Sequence, residues 1–95
     1  MTDKTIVNLT LLKSDGTRET IVSHPAGITL EKLQSLVGGY IEFVRYDSEN
    51  ILLVNEEGLI HRLPQNQHIP QLVGDVVKMT DTDWELINDA YDAAI

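Results

Sequence analysis

Four consecutive apolar residues, Ile51-Leu52-Leu53-Val54, lie between two polar turns, Asp47-Ser48-Glu49-Asn50 and Asn55-Glu56-Glu57-Gly58. Side chains of a strand alternate between its two faces, so a run with no polar alternate must be covered on both. This segment is therefore expected to be a central strand. In a chain of 95 residues, the length of one domain, the whole fold has to be built around it.

The rest of the chain supplies the other pieces. In residues 5–12, Val7, Leu9 and Leu11 alternate with Asn8 and Thr10, the period of a half-buried strand. Asp15-Gly16 then marks a hairpin turn, and residues 17–23 return as a second strand that Pro25 and Gly27 stop. Thr29 is placed to cap a helix, with Glu31 in the first turn; Leu30, Leu33, Leu36 and Val37 share one face, and Gly38-Gly39 ends it. Tyr40 to Tyr46 reads as a third strand. Leu59 to Arg62 reads as a short return strand after the 55–58 turn, residues 65–73 as irregular, and Val76 to Met79 as a last strand. Thr82-Asp83-Trp84-Glu85 has the form of a capping box, and a helix to about Ala94 follows with Leu86, Ile87, Ala90, Tyr91 and Ala94 on one side. The expected fold is α+β. It has a small, mostly antiparallel sheet of five or six strands, a short central helix and a C-terminal amphipathic acidic helix. The order hairpin, helix, strands is that of a β-grasp.

Composition removes several functions. A formal charge of −8 opposes direct binding of nucleic acid through its phosphates, which needs clustered Lys and Arg. The chain has no cysteine, hence no disulfide, thiolate nucleophile or cysteine-held metal. No apolar run is long enough to span a membrane, and the first residues lack the pattern of a signal peptide, which fits a cytoplasmic protein. His24, His61 and His68 show no metal-ligand spacing, the serines have no nucleophile-elbow context, and Gly38-Gly39 is not followed by the Lys-Ser/Thr of a phosphate loop. No catalytic residue, metal or cofactor is expected.

Two surface features have some shape. Asp81, Glu85, Asp89 and Asp92 form an acidic stripe on the last helix, suited to a basic protein partner or to imitation of DNA, or simply solvated. The turns at 55–58 and 64–68 gather Asn55, Glu56, Glu57, Gln65, Asn66, Gln67 and His68 beside the apolar strands. Amide side chains suit the edges of nucleobases and riboses.

The run Leu33-Gln34-Ser35-Leu36-Val37-Gly38-Gly39-Tyr40-Ile41-Glu42-Phe43-Val44 resembles a family of small phage and mobile-element proteins of unknown function. The resemblance continues through Val54-Asn55-Glu56-Glu57-Gly58, Leu63-Pro64-Gln65-Asn66 and Gly74-Asp75-Val76-Val77, in the family's order and spacing. Many members carry Asn-Arg-Ala where this chain has Asn66-Gln67-His68, so a basic contact from that Arg is missing. Relatives with a similar Gly-Gly-x-Ile-Glu core include an anti-CRISPR inhibitor, and phage proteins of comparable build sequester nucleotide immune signals. The resemblance thus implies a counter-defence protein that works by binding. As a sponge for a nucleotide signal, it would use Asn55, Glu56, Gln65, Asn66 and His68 around the base or ribose. Tyr40 or Trp84 would stack and Arg45 or Arg62 would meet phosphate, with a homo-oligomer interface as one setting. As an inhibitor of a host defence protein, it would use Asp81, Glu85, Asp89 and Asp92.

Overall fold

The computed structural model describes residues 6–94, with side chains as far as Ala90. Five strands form one sheet: β1 (Val7–Leu12), β2 (Arg18–Ser23), β3 (Ile41–Arg45), β4 (Asn50–Asn55) and β5 (Val76–Thr80). Their order is β2-β1-β5-β4-β3, and all four pairings are antiparallel. Helix α1 (Leu30–Val37) carries the chain from one edge strand, β2, to the other, β3, while α2 (Asp81–Ala94) follows β5 directly. The α+β class, the short helix between hairpin and later strands and the C-terminal helix are as the sequence reads.

The topology differs from expectation in two ways. A β-grasp sets its first and last strands side by side in parallel, whereas β1 and β5 here run antiparallel, Leu11 opposite Val77. The sixth strand is absent as well: Leu59 to Arg62 belongs to a run of turns, tied by Leu63 N–H to the Gly58 carbonyl at 3.0 Å and His61 N–H to the Glu57 carbonyl at 3.0 Å. The reason lies in the sheet order. β4 already has β3 on one side and β5 on the other, so a segment returning from the 55–58 turn finds no free edge. Arg62, at φ 55°, sits in the left-handed region, which a strand cannot contain.

The core explains the four-residue apolar run. Ile51 and Leu53 point to one face with Val7, Leu9 and Leu11 of β1 and Val77 and Met79 of β5, covered by Ile28, Leu33, Val37 and Ile87. Leu52 and Val54 point to the other, where Val76, Val44, Ile69 and Leu72 complete a smaller cluster. Helices cover one face, and the irregular segment between β4 and β5 covers part of the other. That segment is pinned by a bridge between Gln65 and Val73.

Local signals fix the helix ends. The Thr29 hydroxyl accepts the Lys32 N–H at 3.1 Å, and Gly38 closes α1 in the left-handed conformation at φ 81°, which costs a residue without Cβ nothing. At α2 the capping residue is two positions earlier than the sequence suggests. Thr80, the last residue of β5, accepts the Asp83 N–H at 3.1 Å, and Thr82 is already inside the helix, so the Thr82–Glu85 capping box does not form.

Candidate functional site

The two turns expected to build one ligand loop point to different places. Asn55 is 8 % exposed; its amide donates to the Val37 carbonyl at 3.2 Å and accepts the Glu57 N–H at 2.8 Å, fastening the end of β4 to the end of α1. Asn66 is fully buried at the other end of the segment. Its Nδ2 donates to the carbonyls of Leu12, at 2.9 Å, and Gly74, at 2.8 Å, and its Oδ1 accepts the N–H groups of His68, at 2.8 Å, and Ile69, at 3.1 Å. Two donors and two lone pairs are the whole capacity of an amide, so Asn66 has nothing left for a ligand. Gln65 donates to the Pro70 carbonyl at 2.8 Å, and a ring nitrogen of His68 lies 2.9 Å from the Thr17 carbonyl. These side chains hold the segment against the sheet and the β1–β2 hairpin.

The arginines are also placed differently from expectation. Arg45 makes a two-pronged contact with Asp81, Nη1 to Oδ2 at 3.0 Å and Nη2 to Oδ1 at 3.1 Å, which joins β3 to the start of α2 and raises the guanidinium pKa above its ordinary value. This contact occupies one carboxylate of the acidic stripe. Glu85 and Asp89 are exposed, and the side chain of Asp92 lies outside the described ones. Arg62 stands exposed on the 56–62 turns.

Three of the sequence candidates do converge. Tyr40, Glu56 and Trp84 line a cleft of about 390 Å³ between α1, α2 and the edge strand β3. Ile28, Leu30, Leu33, Ile41, Phe43 and Ile87 make the apolar remainder of its wall, with Gln34 and Asn88 as polar members. Trp84 meets Phe43 edge to face, ring centres 4.8 Å apart at 63°. Tyr40 is 67 % exposed and Phe43 50 %, so an aromatic surface stands open beside a strand whose outer edge has no partner strand among the described residues. Among the described residues, no Lys or Arg lines the cleft. Asn88 on its wall has two exposed carboxylates close by on the same helix, Glu85 three residues before it and Asp89 next to it. Sequence reasoning places Leu30 on the apolar face of the helix and Phe43 within a strand, and names neither as a site residue. Each is an ordinary strand or helix residue until the edge position of β3 leaves it uncovered.

Among the described residues no three His, Asp or Glu side chains gather as a metal would require. Every buried side-chain nitrogen or oxygen among them has a partner, so no polar atom waits in a cavity. The perturbed carboxyls are turn builders. Asp15 is held below its ordinary value by the Thr17 hydroxyl and N–H, and Asp47 by the Glu49 N–H and the Asn50 side chain and N–H. No helix among the described residues is long and apolar enough to cross a membrane.

No curated protein and no solved structure matches the chain. One family model does match, over residues 9–89, a span that runs from β1 into α2 and contains every wall of the aromatic cleft. With most of its length matched, the chain belongs to DUF3846, a domain family of unknown function.

Proposed function

We propose that this protein acts by binding another protein, with the aromatic cleft at the β3 edge as the docking site and the exposed carboxylates of α2 beside it. The observation that carries the reading is the exposure of Tyr40 and Phe43 beside Trp84 in one apolar cleft at a sheet edge with no partner strand among the described residues. Aromatic anchors in such clefts dominate binding energy at protein interfaces, and an open edge offers a partner backbone its hydrogen bonds. Charge selects the partner. The chain carries −8, so a second copy would be repelled, whereas a segment with apolar residues flanked by Lys or Arg is attracted to Glu56, Glu85 and Asp89. Within the resemblance to phage and mobile-element proteins, that partner is a host defence protein, the chain is its inhibitor, and no turnover is involved. The commitment of Asn55 and Asn66 to backbone groups weighs against a nucleotide held between the 55–58 and 63–68 turns.

The test is photo-crosslinking from position 40 in cells that carry the protein, with the captured partner then titrated in vitro. Phe43→Ser should weaken the complex by about 2 kcal/mol, roughly thirtyfold in Kd, and the pair Glu85→Lys with Asp89→Lys should slow association and flatten its salt dependence. Full affinity in both variants refutes the reading, as does a stable homodimer closed through the cleft in sedimentation.

A further inference from the structure

The sheet face away from the helices is only partly covered by the 65–73 segment, and the uncovered part is basic. Arg18 on β2, Lys78 on β5, and Tyr46, just past β3, border a cleft of about 200 Å³, with Thr10 as its floor and His68 reaching over from the loop. The register assembles it: Arg18 stands opposite Leu12 of β1, and Lys78 stands opposite Thr10 on one side and Leu52 on the other.

Two facts make this more than a chance meeting of cations. The chain has 15 acidic residues and seven Lys or Arg, yet Arg18 and Lys78 share one cleft and neither has a carboxylate within ion-pair distance among the described residues. The carboxylates that act on Lys78 and His68 are hydrogen-bonded within their own turns. Asp47, which acts on Lys78 only through space, accepts the N–H groups of Glu49 and Asn50 and the Asn50 amide. Asp15, near His68, accepts the Thr17 hydroxyl at 2.6 Å and the Thr17 N–H at 2.9 Å. Two cations in one concave site, neither in an ion pair, form an anion receptor, and the Arg fork suits a phosphate. The Tyr46 ring, about half exposed, has the Lys78 ammonium 4.9 Å from its centre, so the cation is steered while the ring's remaining surface is open to a flat group.

We infer that this cleft binds the phosphate group of a small molecule, with Arg18 and Lys78 on the phosphate. Tyr46 favours a nucleoside phosphate, whose base it would stack, over free inorganic phosphate. The cleft lies on the opposite sheet face from the aromatic docking site, so either can fail without the other.

The experiment is calorimetric titration of the full chain with adenosine monophosphate, inorganic phosphate and adenosine, at low and moderate salt. Saturable binding of the monophosphate should weaken about tenfold or more in Arg18→Gln and again in Lys78→Gln, and be unchanged in Arg62→Gln. A monophosphate affinity above that of phosphate, with the gap closed by Tyr46→Leu, assigns a nucleoside phosphate; equal affinities assign the free ion. All four side chains are at the surface, and a melting curve for each variant separates lost binding from lost folding. No saturable binding of either anion by about 5 mM, or affinity untouched in the Arg18→Gln, Lys78→Gln double variant, or adenosine binding as tightly as its monophosphate, overturns the inference.

Discussion

Replacing Asn66 by Ala should damage the protein more than any other single polar truncation in the 56–75 segment. The side chain is fully buried and makes four hydrogen bonds, at 2.8 to 3.1 Å, to Leu12 and Gly74 carbonyls and His68 and Ile69 N–H groups. A buried bond of this kind contributes about 1 kcal/mol net, and a stranded partner costs about 1–3 kcal/mol. The loop side can recover water by loosening, while Leu12 at the end of β1 cannot do so as easily. The expected loss is therefore about 3–4 kcal/mol. A 95-residue domain has roughly 5–10 kcal/mol in total, so about half of the stability is at stake.

The assay is urea unfolding of the parent, Asn66→Ala, Asn66→Asp and, as control, Gln65→Ala, whose side-chain bond to the Pro70 carbonyl is exposed. Asn66→Asp keeps the acceptor but faces a carboxylate toward two carbonyl oxygens, so at neutral pH it should be at least as damaging as the Ala variant. Gln65→Ala should cost less than about 1 kcal/mol. If Asn66→Ala cost no more than Gln65→Ala, its four bonds would not be holding the loop and the reasoning would fail. A ligand-reading role for Asn66 makes the opposite forecast, with stability spared and binding lost.

Thr80→Ala should lower stability by about 1 kcal/mol in the same assay while Thr82→Ala changes it by a few tenths at most, because only Thr80 caps α2; the reverse order would restore the capping box. Asp47 has a pKa below its ordinary 3.8, first through the Glu49 N–H, so the folded state prefers its charged form. That preference contributes stability above the unfolded value and is lost as pH falls through the lowered one. Thermal melts should therefore show Asp47→Ala below the parent at neutral pH, with the gap closing as pH drops under 3.8. A gap that stays constant into acid would rule out the carboxylate as its source.

Short-range signals were legible because a few neighbouring residues settle them. Thr29 and Gly38 bracket α1, Asp15-Gly16 turns the first hairpin, and Asn50 to Asn55 is a strand whose two apolar faces demanded two covers. Thr80 and Thr82 defeat the same kind of reading. Each is a Thr with an acid three residues on, and the choice falls to Thr80 because β5, paired with β4 through the contact of Thr80 with Asn50, ends there. Leu59 and Ile60 look like a strand in isolation and are exposed by 81 % and 75 % in a turn, because β3 and β5 already occupy both sides of β4.

The functional surfaces divide along the same line. By itself the sequence determined the acidic charge, the elements, the α+β class and the aromatic and amide residues from which a site could be chosen. The tertiary structure decided which of those residues remain available. It buried Asn66 and Asn55 as struts, paired Arg45 with Asp81, and left Tyr40 and Phe43 open at the edge of β3. It also drew Arg18 and Lys78, far apart in the chain, into one cleft, because β1 stands between β2 and β5. Propensity and turn chemistry act over a few residues, and strand order, which sets what is covered and what is adjacent, is fixed only when the sheet closes around its core.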